Sequence, residues 1–171
     1  MKTYILAVFL LLLAAGTSSP ALSECGNWSQ RFEDFKMGEE AGKSGKLAQA
    51  AYRFKCSAET GYAPAQFYLG LMYLQGLGVK KNDENAFELF EDAAEQGNPL
   101  SQLNLGLMLS SGRGTQKDLI YGHMWLSLGV AQGVKAGKEQ IITLEKRMST
   151  YQLKTSQSLI RQCVSSRYKG C

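Results

Sequence analysis

The chain has 171 residues, 19 Lys and Arg against 15 Asp and Glu, and a formal net charge of +4. That length suits one hydrophobic core rather than several domains. The basic excess is mild and no dense Lys/Arg block is present, which excludes an electrostatic nucleic-acid interface as the basis of function.

In chain order, the first segment reads as an export signal. Lys2 is a positive start, Ile5 to Ala15 is almost wholly apolar, and Gly16 to Pro20 is small and helix-breaking. Ala21-Leu22-Ser23 puts small residues where a signal peptidase reads, so cleavage is predicted between Ser23 and Glu24, leaving residues 24–171 as a single domain. The apolar stretch falls short of the roughly 20 residues that span a bilayer. No later segment is apolar enough, so no membrane insertion is expected after cleavage. Glu24 before Cys25 argues against lipid attachment there. Asn27-Trp28-Ser29 fits a glycosylation acceptor, which matters only in a eukaryotic secretory route.

Trp28 to Ala41 reads as a helix carrying Phe32, Phe35 and Met37, and Gly45 to Thr60 as its partner. Ala63 to Gln75 follows, with Ala65, Leu69, Met72 and Tyr73 on one face. Gly76-Leu77-Gly78 stops it, because glycine readily takes the left-handed conformation of a helix C-cap. Asn82 or Asp83 can cap the next helix, Glu84 to Gln96, which ends at Gly97. Pro99 to Ser110, Gly112-Arg113-Gly114 and Leu119 to Gln132 repeat the scheme. Lys138 to Met148 and Tyr151 to Val164 read as closing helices, the last capped by Ser149 or Thr150.

Periodicity organises this list. Gly61, Gly97 and Gly133 recur at a step of 36 residues. The same step relates Gln66 to Gln102, Leu69-Gly70-Leu71-Met72 to Leu105-Gly106-Leu107-Met108, and Gly76 and Gly78 to Gly112 and Gly114. Steps of 20 to 50 residues mark stacked repeats. The units run over about 26–61, 62–97 and 98–133, with a cap over 134–171. Gly70 in mid-helix costs about 1 kcal/mol against alanine, so its return at Gly106 predicts a close approach of two helices at both places. Trp125 in place of Leu89 suits a unit that meets a cap. The fold class is therefore all-α, antiparallel helix pairs stacked with a helical cap.

These residues carry a family resemblance. Ala65-Gln66-Phe67-Tyr68-Leu69-Gly70-Leu71-Met72-Tyr73, Gly76-Leu77-Gly78-Val79, Asp83, Ala86, Phe90 and Ala93-Ala94-Glu95-Gln96-Gly97 resemble the Sel-one-like repeat, a relative of the tetratricopeptide repeat. Gln102, Leu105 to Met108, Gly112 and Gly114 continue it. His123-Met124-Trp125-Leu126 and Arg147-Met148-Ser149 are similar to the closing parts of bacterial members. The resemblance covers Lys43 to Cys163, departs at the first unit, and has Leu109 where the preceding unit has Tyr73. It implies a right-handed α/α superhelix and a protein-binding adaptor. It also implies a narrower alternative, an immunity or inhibitor protein that binds one toxin or enzyme; a second alternative, a hydrolase acting on cell-wall or β-lactam compounds, has the lack of any acid/base or nucleophile arrangement against it.

Candidate chemistry is thin. Glu39-Glu40 and Glu91-Asp92 are neighbours on helices and point apart, so they read as solvated faces. His123, the single histidine, reads as a packing residue, and no nucleophile elbow places Ser, His and Asp together. The paired glycines have no preceding strand and no following Lys-Ser/Thr, so they are interhelical turns and not phosphate loops. No catalytic residue, cofactor or metal is expected, and the chain is read as a non-enzyme. An even cysteine count in an exported chain points to disulfides. Four cysteines allow three pairings. Nearness favours Cys163–Cys171, which leaves Cys25–Cys56. First helices line the concave face of tetratricopeptide-like stacks, which directs Phe67, Leu71, Leu74, Gln75, Leu103, Leu107 and Ser111 toward a groove. Their alternative role is plain core. The expected partner is another protein, and the expected location is periplasmic or secreted.

Overall fold

In a computed structural model, Cys25 and residues 28–171 are described. The predicted signal segment 1–23 and the Ser23–Glu24 junction lie outside the described residues. Among the described residues a short 3-10 turn, Trp28–Gln30, leads into eight α-helices: α1 Arg31–Lys43, α2 Leu47–Glu59, α3 Ala63–Gln75, α4 Asp83–Glu95, α5 Pro99–Ser111, α6 Leu119–Ala131, α7 Lys138–Glu145 and α8 Thr150–Ser165. Among the described residues there is no strand. Successive helices pack pairwise into a solenoid, α1 on α2, α3 on α4 and α5 on α6, with α2–α3 and α4–α5 joining the pairs and α7 and α8 closing the stack.

Local chemistry explains each boundary. Gly76 and Gly112 end α3 and α5 in the left-handed conformation, at φ 74° and 75°, each donating its N–H to the carbonyl of Met72 or Met108. The Asn82 side chain accepts from the N–H groups of Glu84 and Asn85 at the start of α4, and Asp118 does the same for Ile120 and Tyr121 at α6. Ser149 and Gln152 form a reciprocal capping box at α8. That box requires Ser149 to be extended, at φ −72° and ψ 160°. The chain must therefore leave the helix before it, which is why α7 stops at Glu145 and not at Met148, the end the sequence predicts.

One seat recurs in every pair. A Cβ on Gly38 would come within 2.7 Å of the Phe54 ring, and one on Gly70 within 2.8 Å of the Phe90 ring. At the third pair a Cβ on Gly106 would stand 2.7 Å from both the Leu126 side chain and its backbone nitrogen. Glycine removes the atom that would hold the antiparallel partners apart. The bulky residue seated there, Phe90 above all, is fully buried.

A second set of contacts joins one pair to the next. Gly78, in the α3–α4 turn, lies against the backbone of Leu47 and Ala48 at the start of α2. One step on, Gly114 lies against Asp83 at the start of α4. Within the pairs, buried Gln66 of α3 accepts from the side-chain amide of Gln96 at the end of α4 at 2.7 Å, and buried Gln102 of α5 accepts from Gln132 at the end of α6 at 2.6 Å. These amides satisfy polar groups that burial would otherwise penalise. In the first pair Asp34, buried, holds Arg53 at 2.8 Å instead.

Three apolar clusters follow the stack. One joins α1–α3 around Phe54, Ala65 and Leu69. The central one joins α4–α6 and reaches α8 at Cys163, and a third sets Leu126 against Leu144 and Met148. Cys25 is bonded to Cys56 on α2, and Cys163 of α8 to Cys171 in the tail.

Candidate binding site

The seven residues directed toward a groove divide by depth. Phe67, Leu71 and Leu74 on α3 are half-buried and pack on the central cluster, while Leu103 on α5 packs on the third. Gln75, Leu107 and Ser111 are exposed. The division has a geometric cause. Phe67, Leu71 and Leu74 join the cluster that also holds Leu105 and Met108 of α5, whereas Leu107 and Ser111 line a cleft beside α7.

The short α7 shapes the site. It has 8 residues where each first helix of the preceding pairs has 13. Between α5, α6 and α7 it leaves a cleft of about 530 Å³, with Leu107, Leu126 and Leu144 as its apolar part. Ser110 and Ser111 line the cleft on α5, but their hydroxyls are turned back onto the carbonyls of Gly106 and Leu107 at 2.6 and 2.8 Å. Lys117, Glu139 and Arg147 bring charge of both signs to its rim. An apolar floor with a charged rim is the arrangement of a peptide- or protein-binding surface. Lys117, Glu139 and Arg147 were not named for a groove by sequence reasoning; Lys117 is Lys81 one 36-residue step on, whereas Glu139 and Arg147 lie in the cap beyond the last unit.

A polar node sits behind this cleft. His123 of α6 is buried, its Nδ1 2.8 Å from Ser156 Oγ on α8 and its Nε2 3.2 Å from Glu145 Oε1 at the end of α7. A carboxylate only accepts, so Nε2 carries the proton toward Glu145, and in the neutral ring Nδ1 accepts from the Ser156 hydroxyl. The cap folds Ser156 and Glu145 onto His123, a grouping that sequence reasoning, which looked for Ser, His and Asp, did not name. Chemically the node is closed. Ser156 is 0% exposed, so its hydroxyl cannot reach a substrate carbonyl as a nucleophile must.

Charge elsewhere is organised by the repeat. Arg113 donates to Asp83 Oδ1 at 2.8 Å and to the Leu74 carbonyl at 3.0 Å, tying the third pair to the second. That hydrogen bond from Arg113 holds the Asp83 carboxyl below the ordinary carboxylate range, against a smaller opposing effect of burial. On α4 the Glu91 carboxyl is pushed above its ordinary range, first by partial desolvation and then by repulsion from Glu95, Asp92 and Glu88. Among the described residues no helix is long and apolar enough to cross a membrane.

Comparison with known proteins places this architecture. The Sel1 repeat model matches residues 63–98 and 99–134, which hold α3 to α6. The crystal structure of c5321, a protective antigen of uropathogenic Escherichia coli with an SLR fold, superposes with a TM-score of 0.74 at 27% identity. It covers 79% of this chain and 30% of that one. A Sel1 repeat protein from Oxalobacter formigenes superposes with a TM-score of 0.60 at 28% identity, covering 67% of this chain and 93% of that one. An exopolysaccharide production negative regulator of Rhizobium meliloti (strain 1021) is 38% identical over 61 residues, spanning 36% of this chain and 23% of its own length. The repeated glycine seats, the turns that lean on the preceding pair and these matches lead to one conclusion: residues 63–134 are two Sel1 repeats, set in a solenoid similar to the SLR fold.

Proposed function

We propose that this protein is an exported, non-enzymatic scaffold that binds a segment of another protein against its first-helix side, centred on the cleft at Leu107. The observation that carries the reading is that cleft: Leu107 is 37% exposed on α5, where it lines the cleft opposite Glu139, Gln140 and Thr143 of α7. Large apolar side chains left open in a concave setting are what interface cores are made from. Gln75 and Ser111, exposed on the same helices, extend the surface. The Rhizobium meliloti relative is named as a regulator, and a regulator acting through binding agrees with a scaffold.

Export rests on the charged, apolar and small-residue order of residues 2–23 and on the two disulfides. A periplasmic fraction should contain a chain beginning at Glu24 whose non-reduced peptides join Cys25 to Cys56 and Cys163 to Cys171. A chain retained with reduced thiols ends the export reading. For binding, the oxidised chain is immobilised and exposed to periplasmic extract. A retained protein should be lost on Leu107→Arg while the helical circular dichroism signal and melting point stay unchanged. Equal retention by both chains, or no retained protein, removes the cleft as the binding site. A tight one-to-one complex with a single toxin or enzyme would narrow the scaffold to an inhibitor.

A further inference from the structure

The internal repeat allows two valleys on the second-helix side of the stack to be compared residue by residue. Between α4 and α6 the floor is Ala94 and Leu105, and the α6 wall is Met124, Trp125 and Leu128, all buried. α8 packs on α6 and seals this valley. Leu159, Ile160 and Cys163 join the same cluster, as do Tyr168 and Cys171 from the tail, and Tyr168 reaches Gly97 at the end of α4.

Between α2 and α4 lies the same valley one step earlier, a cleft of about 330 Å³. Its floor is conserved within the chain, with Ala58 and Leu69 standing for Ala94 and Leu105. Its wall is changed: Glu88, Leu89 and Asp92 stand where α6 carries Met124, Trp125 and Leu128. Glu88 and Asp92 are exposed, and among the described residues neither is in an ion pair, while Lys55, the one cation lining the valley, lies 3.8 Å from Glu59. The apolar floor calls for apolar side chains above it. The two carboxylates call for cations at the positions where α8 presents Leu159 and Cys163 to α6.

We propose that this valley receives a basic amphipathic helix of a partner protein, laid across α4 as α8 is laid across α6. The chain supplies its own precedent for the occupant, and the Met124-to-Glu88 and Leu128-to-Asp92 differences define its charge. The surface is separate from the cleft at Leu107 and does not depend on it.

The probe is a hydrocarbon-stapled helical peptide of residues 150–165 carrying Leu159→Lys and Cys163→Lys, titrated against the oxidised chain by fluorescence anisotropy. Saturable binding is expected, weaker as salt rises. It should fall at least tenfold in the chain carrying Glu88→Lys and Asp92→Lys, and remain unchanged in Leu107→Arg. The unsubstituted stapled peptide should bind more weakly than the lysine form. Circular dichroism reports folding of the doubly substituted chain, and Glu88→Gln with Asp92→Asn replaces it if that chain fails to fold. Absent binding, binding indifferent to the α4 substitutions, or binding lost in Leu107→Arg overturns the proposal. So does a concentration-dependent dimer that the same substitutions dissolve, since the occupant would then be a second copy.

Discussion

Gly70 on α3 faces the ring of Phe90 on α4 so closely that a Cβ there would lie 2.8 Å from the ring edge. Two effects oppose one another when that Cβ is added. Alanine is favoured over glycine in a helix interior by about 1 kcal/mol. Overpacking against a buried ring that cannot move freely costs about 1–3 kcal/mol. Gly70→Ala should therefore lower stability, by up to about 2 kcal/mol in urea unfolding. Gly42→Ala is the control. Its Cβ would lie 3.9 Å from Ala50 Cβ, an ordinary contact, so that substitution should raise stability by up to about 1 kcal/mol. Equal effects at both sites would remove the glycine seat as the reason for the repeat.

The cap is held by a polar node as well as by apolar packing. Ser156→Ala leaves the buried Nδ1 of His123 with no partner from α8, at a cost of about 1–3 kcal/mol. Glu145→Ala removes a partner that is nearly half exposed, and should cost less than about 1 kcal/mol. Hydrogen exchange should show the loss concentrated in α7 and α8. Uniform loss across all helices would contradict a local node.

The Arg113–Asp83 contact gives stability a pH dependence of known sign. The folded Asp83 carboxyl sits below its ordinary value, so the unfolded chain binds this proton more readily than the folded one. The contribution is complete above the ordinary carboxylate range and is lost as pH falls through the lower folded value. The pair is partly exposed, so the contribution is at most about 1 kcal/mol. The stability gap between the native chain and Asp83→Asn should be steady near pH 6 and close below about pH 4. A gap that widens on acidification would reverse the assignment.

The repeat step made much of this molecule legible before any coordinates. Gly70 and Gly106 announced close helix approaches, and both are packed against a partner helix. Gly76 and Gly112 announced left-handed caps, and both have them. Asn82 and Ser149 were each one of two named candidates for a cap. The step says nothing where it ends. Ser156 is 33 residues from His123 and Glu145 is 22, and neither separation belongs to the repeat. The convergence of these three side chains was therefore invisible. The cleft was legible only on one side: Leu107 and Ser111 of the repeat line it, but Glu139, Gln140, Thr143 and Arg147 come from the cap, beyond the last repeat step.

By itself, the sequence determined the helix pairs, their spacing and the glycine seats that let them nest, because these depend on contacts within one pair and its nearest neighbour. Only the tertiary structure decided which first-helix residues remain open. Phe67, Leu71 and Leu74 are half-buried against the central cluster, while Leu107 beside an eight-residue α7 is open. Exposure is a property of what comes next in the stack, and at the cap the next element no longer follows the repeat.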